Sequence, residues 1–128
     1  MKLKNNVKAI IVTLGLLGSV VAVSVQAESE VYRVITNYPN PFDSRLGNTT
    51  ILYTLGTDSA VKAKIYDMFG NLVRDYQERS EAAGVKRIIW DGTDQMGSKV
   101  AKGGYICVVE IRNNDSKVLA TRKIGVVH

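Results

Sequence analysis

Between residues 31 and 127 apolar and polar side chains alternate in short runs separated by turn residues, and no stretch repeats apolar residues at three-and-four spacing for the ~10 positions a helix needs. Such a chain folds as sheet, each strand turning one side to a core and the other to water. Strands are expected at 31–36, 50–55, 61–65, 72–77, 85–90, 105–112 and 117–127, with 99–101 as a short strand or extended connector. Asp67-Met68-Phe69-Gly70-Asn71 predicts a hairpin turn between the strands at 61–65 and 72–77, and Asn113-Asn114-Asp115-Ser116 closes a second, longer hairpin. Residues 78–84 form a polar connection with some helical propensity, too short to stand as a helix alone. About seven strands joined by turns describe an all-β antiparallel sandwich.

The first 27 residues read differently. Lys2, Lys4 and Lys8 precede an apolar run at 9–23, and Val25-Gln26-Ala27 sets small residues where a signal peptidase cuts. This predicts a signal-peptide helix over 1–27 and a mature domain over 28–128, located outside the cytoplasm, whether secreted, periplasmic or on the cell surface. The alternative is a retained anchor, for which the run is slightly short of the ~20 apolar residues that cross a bilayer. Composition supports the division. The whole chain carries 17 bases and 12 acids, and without the three leader lysines 14 bases face 12 acids, a net of +2. That field is too weak to argue for nucleic acid or, after cleavage, a membrane as partner. The expected partner is another envelope or secreted protein.

With one cysteine, Cys107, no internal disulfide can form, so stability must come from packing. Cys107 lies in the apolar run Tyr105-Ile106-Cys107-Val108-Val109 and reads as a small buried hydrophobe, an intermolecular disulfide being the alternative. Trp90, the sole tryptophan, shares a strand face with Ile88 and reads as a core plug.

Catalytic chemistry finds few candidates. The sole histidine is His128, at a chain end that is expected to fray, so neither a Ser-His-Asp nor a Cys-His site is assembled. One cysteine and one histidine cannot supply a zinc set. Gly103-Gly104 opens a strand, not a helix, and offers no phosphate loop. No cofactor is expected. The acidic turn Asp91-Gly92-Thr93-Asp94-Gln95-Met96-Gly97 has the oxygen donors calcium favours, with Asp91 and Asp94 as ligands, although aspartates in loops more commonly accept amides of their own turn. Tyr32, Tyr66 and Tyr76 are the aromatic residues a carbohydrate-binding face would use, and Tyr66, out of phase with Val61, Ala63 and Ile65, points outward.

The order of motifs resembles a known family. Asn37-Tyr38-Pro39-Asn40-Pro41-Phe42, then Tyr66-Asp67 and Gly70, then Trp90-Asp91-Gly92 with Gly97, then Gly104-Tyr105, form a series similar to the immunoglobulin-like domain of the flagellar hook-capping protein and to related C-terminal sorting domains of secreted bacterial proteins. The resemblance covers residues from about 35 to the C-terminus. It implies an immunoglobulin-like or fibronectin-III-like sandwich and a non-enzymatic module for protein contact or assembly at the bacterial envelope, with a sorting or export module, or its remnant, as the alternative and a carbohydrate-binding module as the third. In the relatives such a module follows a cargo or another domain, whereas here it follows the leader. The motif residues read as fold-defining. The Pro-Asn-Pro segment stiffens the approach, Tyr38 and Phe42 plug the end of the sandwich, and Asp91-Gly92 turns the chain after Trp90. The strand at 117–127 is the expected docking edge, since an unpaired edge offers hydrogen-bonding groups to a partner.

Overall fold

A computed structural model describes residues 5–14, 19–29, 35–114 and 116–128. The chain divides into two compact units, Met1–Glu30 and Val31–His128.

In the first unit β1 (Asn5–Leu14) pairs antiparallel with β2 (Ser19–Ser29), with Val12 opposite Val21. The helix expected over the leader is therefore replaced by two strands. Its composition explains the change: nine of the 21 residues in β1 and β2 are Val, Ile or Thr, whose branched side chains favour extended backbone over helix.

The second unit is the expected sandwich. Its seven strands, β3 (Ile35–Tyr38), β4 (Thr49–Leu55), β5 (Ser59–Asp67), β6 (Leu72–Glu81), β7 (Gly84–Trp90), β8 (Gly103–Arg112) and β9 (Lys117–Val126), form two antiparallel sheets, β3-β4-β7 and β6-β5-β8-β9. Both expected hairpins are present, β5 with β6 and β8 with β9. Residues 31–34 of the expected first strand lie outside the described residues, and β3 runs two residues past Thr36 to the first proline. The segment 99–101 is a connector, joined to the 92–93 turn by an isolated Thr93–Lys99 bridge and by the Val100 N–H bond to Gly92 O, with Val100 packed against the core. Residues 78–81, expected as a connection, extend β6, because Ser80 and Glu81 pair with Ala60 and Ser59 and tertiary pairing overrides local helical propensity.

The core follows the alternation. Ile51, Tyr53 and Leu55 of β4 face Val61, Ala63 and Ile65 of β5, with Cys107, Val109 and Ile111 of β8 and Ile124 and Val126 of β9 completing the layer. Trp90 is fully buried between Phe42 and Tyr105, edge-on to both at 5.7 and 5.4 Å, and its indole N–H donates to the Thr93 carbonyl at 2.8 Å. Phe42 plugs the end as expected. Tyr38 does not: it is 80% exposed. The neighbouring Asn37 takes the inward position in its place, and strand alternation then turns Tyr38 out.

Asn37 earns that position through hydrogen bonds. Its Nδ2 donates to Thr49 Oγ1 at 3.0 Å, and its Oδ1 accepts from Arg122 Nε at 2.8 Å and Asn40 Nδ2 at 3.0 Å. Asn40 also donates to the Lys123 carbonyl and accepts from the Gly125 N–H. The peptides Tyr38–Pro39 and Asn40–Pro41 are cis. The chain end, expected to fray, is secured here: Phe42 N–H bonds Gly125 O, Val127 N–H bonds Phe42 O, and the His128 carbonyl accepts from both the amide and the hydroxyl of Ser44.

Candidate contact surface

The solvent-facing features of the sandwich include its strand edges and loop tips. Three of the four edges are partly covered. On β6, Val73 O accepts from Gln95 N–H and Asp75 N–H donates to Gln95 Oε1, both at 2.9 Å. On β7, Tyr76 Oη donates to Ile89 O at 3.1 Å. β9 is an edge strand, as expected, but the segment from Asn40 to Phe42 closes its C-terminal half. Since both polar groups of Gly125 point outward, alternation leaves Leu119 and Thr121 as the open part of that edge, flanked by Lys117 and Lys123. Edge lysines are a common guard against strand addition.

The loop-rich end of the sandwich is different. It carries the turns at 43–47, 67–71 and 94–98 and the end of β9. Two of the turns share one construction. Asp67 Oδ1 accepts from the amides of Phe69 and Asn71, and Asp94 Oδ1 accepts from those of Met96 and Ser98, all at 2.9 Å. In each the fourth residue is a glycine at positive φ, Gly70 at 87° and Gly97 at 85°, a conformation side chains with a Cβ resist. In each the third residue is a large apolar side chain held in solvent, Phe69 at 91% and Met96 at 92% exposure. The third turn is capped by Asp43, whose carboxylate binds the Arg45 amide and guanidinium and whose carbonyl accepts from Leu46 and Gly47, leaving Leu46 85% exposed.

Hydrogen bonds brace the loop at 91–99 against β6 and against the 43–47 turn. Arg74, in β6 close to the 67–71 turn, donates to Asp94 O at 2.8 Å and Thr93 Oγ1 at 3.1 Å. Lys99 Nζ joins the Asp91 carbonyl at 2.6 Å to the Ser44 carbonyl at 2.8 Å. Gly92 (φ +77°) lies so close to Ser44 that a Cβ there would come within 2.6 Å of the Ser44 Cβ. Gly92→Ala is therefore expected to lower Tm by roughly 5 to 15 °C, combining backbone strain with a contact that must shift, as a thermal melt will show.

Three carboxylates at this end are held in the charged form by their partners. The Arg45 guanidinium beside Asp43 holds its pKa at about 2, against the usual 3.8. The Asn71 side-chain amide lowers that of Asp67, and the Thr93 hydroxyl lowers that of Asp91. A depressed folded-state pKa stabilises the fold above the unfolded value and loses that contribution as pH falls through the folded one. Stability measured by denaturant titration should therefore be insensitive to these groups above about pH 5 and fall between about pH 4 and pH 2, the interval over which Asp43 departs from 3.8 to about 2.

The sequence-predicted calcium ligands Asp91 and Asp94 are both engaged within the turn. Asp91 Oδ1 accepts from the Thr93 amide and hydroxyl, Asp94 Oδ1 from two backbone amides, and the nearby carbonyls of Asp91 and Ser44 bind the Lys99 ammonium. Among the described residues no three acidic, histidine or cysteine side chains gather. Cys107 is fully buried, and burial pushes its thiol up to about 12, leaving no thiolate for nucleophilic chemistry. Tyr66 turns outward from β5, while Tyr76 packs against the core with its hydroxyl on Ile89, so the two share no platform. Tyr32 lies outside the described residues. A recess of about 270 Å³ beside Pro39, Pro41 and Leu46 is smaller than the ~300–1,000 Å³ usual for ligand pockets.

Comparison with known proteins fits this architecture. Residues 43–115, more than half of the chain, match the FlgD Ig-like domain. The chain belongs to the FlgD Ig-like domain family. Two solved structures share its fold. PorU from Porphyromonas gingivalis, in its dimeric latent form, superposes with a TM-score of 0.61 at 20% identity over 85% of this chain. FlgD from P. aeruginosa superposes with a TM-score of 0.56 at 24% identity over 77% of this chain and 76% of its own. The chain spans only 11% of the PorU chain's length. No curated protein matches it. As a FlgD Ig-like domain it places the expected motif residues in structural roles: Trp90, Phe42 and Tyr105 in the core, Asn40 at the seam between the sheets, Asp67 with Gly70 and Asp91 with Gly92 in turns.

Sequence reading passed over the exposed tips Leu46, Phe69 and Met96. A signal was present. Asp67-Met68-Phe69-Gly70 and Asp94-Gln95-Met96-Gly97 are two copies of one pattern, an aspartate, any residue, a large apolar residue and a glycine.

Proposed function

We propose that this chain is a non-enzymatic module of the bacterial envelope, carried out of the cytoplasm by residues 1–27 and acting afterwards through protein–protein contact or assembly. The observation that carries this reading is where the side-chain chemistry goes. Asp43, Asp67, Asp91 and Asp94 bind turn amides, Asn37 and Asn40 hold the sheets together, Cys107 is sealed in the core, and large apolar residues stand in solvent at one end. Polar groups spent on the fold, with apolar groups left outside it, suit recognition better than reaction. Membership in the FlgD Ig-like domain family and the fold shared with FlgD support the same reading.

A sorting or export role is the second reading, which the resemblance of the motif series Asn37–Phe42, Trp90-Asp91-Gly92 and Gly104-Tyr105 to C-terminal sorting domains supports. Fractionation of native cells, with mass spectrometry of the mature N-terminus, tests both. The contact reading expects a chain beginning at Glu28 that stays with the envelope, and the sorting reading expects release. A chain found intact in the cytosol overturns both.

A further inference from the structure

We propose that the outer face of the three-stranded sheet pairs with the same face of a second copy of this chain, in a two-fold dimer where each Ile89 packs on the partner's Tyr38. This names the partner for the contact reading and rests on it.

The face is set apart by its chemistry. Strand alternation turns Thr36 and Tyr38 of β3, Thr50, Leu52 and Thr54 of β4, and Val85, Arg87 and Ile89 of β7 away from the core. Among these eight described residues the one charged side chain is Arg87. The outer face of the four-stranded sheet, by contrast, carries Lys62, Lys64, Glu110, Arg112, Lys117 and Lys123 on three of its strands. Solvent-facing positions of an antiparallel sheet are ordinarily polar, yet on the three-stranded sheet Tyr38 is 80% exposed, Val85 70% and Ile89 50%.

Strand register makes this face its own complement. Tyr38, Thr50 and Ile89 lie side by side, Thr36, Leu52 and Arg87 form the next row, and Thr54 and Val85 share the third. A two-fold axis along β4 lays β7 of each copy over β3 of the other, so that every contact between two positions occurs twice. Ile89 then meets the partner's Tyr38, and Leu52 meets the partner's Leu52. Arg87 lands on the partner's Thr36, one row from the partner's Tyr38, whose ring face accepts a cation. The face's cation and its aromatic ring stand on opposite edge strands, as such a pairing needs. A two-fold axis across the strands would instead set Arg87 against Arg87.

The same residues disfavour other occupants. A charged protein surface finds no acid and one cation to pair with, and a glycan finds a single ring. An unrelated apolar surface would bury Arg87 with nothing to receive its charge, whereas a second copy supplies the phenol ring. A face three strands wide and up to seven residues long covers roughly 300 Å² in plan. That is small beside the ~800 Å² per partner of a standard interface, so the dimer exchanges with free chains.

The test places a photoreactive residue at 89 or at 64 in the full chain within its native cells, position 64 lying on the outer face of the other sheet. We expect a homodimer adduct from 89, mapping to β3 of the second copy, and none from 64. Tyr38→Ser should lower the yield roughly tenfold, as for a buried anchor residue, and leave Tm unchanged because the ring is exposed. Should that variant lose stability, Ile89→Ser read through a photoreactive residue at 38 serves the same purpose. The chain purified from those cells should sediment as monomer and dimer in proportions that follow concentration. An adduct with a different protein at 89 overturns the choice of a second copy and leaves the contact reading standing. A homodimer adduct equally strong from 64, or one indifferent to Tyr38→Ser, overturns the choice of face. No adduct from 89, or a monomer at every concentration, overturns the inference, while the contact reading stands or falls separately on fractionation of the chain.

Discussion

Trp90→Ala is expected to leave the sandwich unfolded or close to it at 37 °C. The indole fills the space between Phe42 and Tyr105, makes edge contacts with both rings, and donates to Thr93 O from a fully buried position. Truncating a buried aromatic of this kind costs about 3 to 5 kcal/mol. Aromatic pairing adds about 0.5 to 1.5 kcal/mol beyond area burial, and the stranded Thr93 carbonyl adds about 1 kcal/mol or more. Domains of this size hold only about 5 to 15 kcal/mol in total. Circular dichroism against temperature should show a collapsed or absent transition. Trp90→Phe should retain a cooperative melt at reduced Tm, since it keeps part of the ring contact and loses the hydrogen bond. A Trp90→Ala protein melting within a degree or two of the parent would show that the core does not depend on this plug.

Asn37→Ala is also expected to be destabilising, although it removes a polar side chain. Asn37 is buried and joins three elements: Thr49 of β4, Arg122 of β9 and Asn40 of the segment that crosses between the sheets. Its loss leaves the Arg122 guanidinium and the Asn40 amide each short of an acceptor. Asn40 is exposed and Arg122 half-buried, so water meets part of this loss, and the variant costs about 1 to 3 kcal/mol, equivalent to a fall in Tm of roughly 5 to 15 °C. Asn37→Asp separates the parts of this network, because it keeps an acceptor for Arg122 while losing the donor to Thr49. It should fall between the parent and Asn37→Ala in a denaturant titration. Equal stability of Asn37→Ala and the parent would show that the two sheets are held together without this side chain.

The fold was legible wherever alternation met a simple core. Val61, Ala63 and Ile65 against Lys62 and Lys64 fixed both the strand and its buried face, and the hairpin around Gly70 followed from its turn residues. Legibility failed where a polar residue took an inward position. Tyr38 is an aromatic beside a proline and reads as a plug, but the hydrogen bonds of Asn37 reach partners 12 and 85 residues away, and no local pattern reveals them. The extension of β6 to Glu81 and the security of His128 have the same cause, since both depend on distant pairing. Residues 1–27 depart from the expected helix for another reason. Their apolar run has the pattern of a secretory helix, while the abundance of branched side chains in β1 and β2 favours strands. For the contact surface, the aspartate-and-glycine turns were readable, but that three of them share one end follows only from the order of strands in the two sheets.

The seam formed by Asn37, Asn40, Phe42 and Ser44 with Arg122, Gly125 and His128 joins nearly the first and the last residues of the domain. During synthesis these early residues wait for almost the whole domain to be made before their counterparts exist. Long-range closure of this kind slows folding. The chain accordingly stays open and threadable until its final segment arrives, and only then locks.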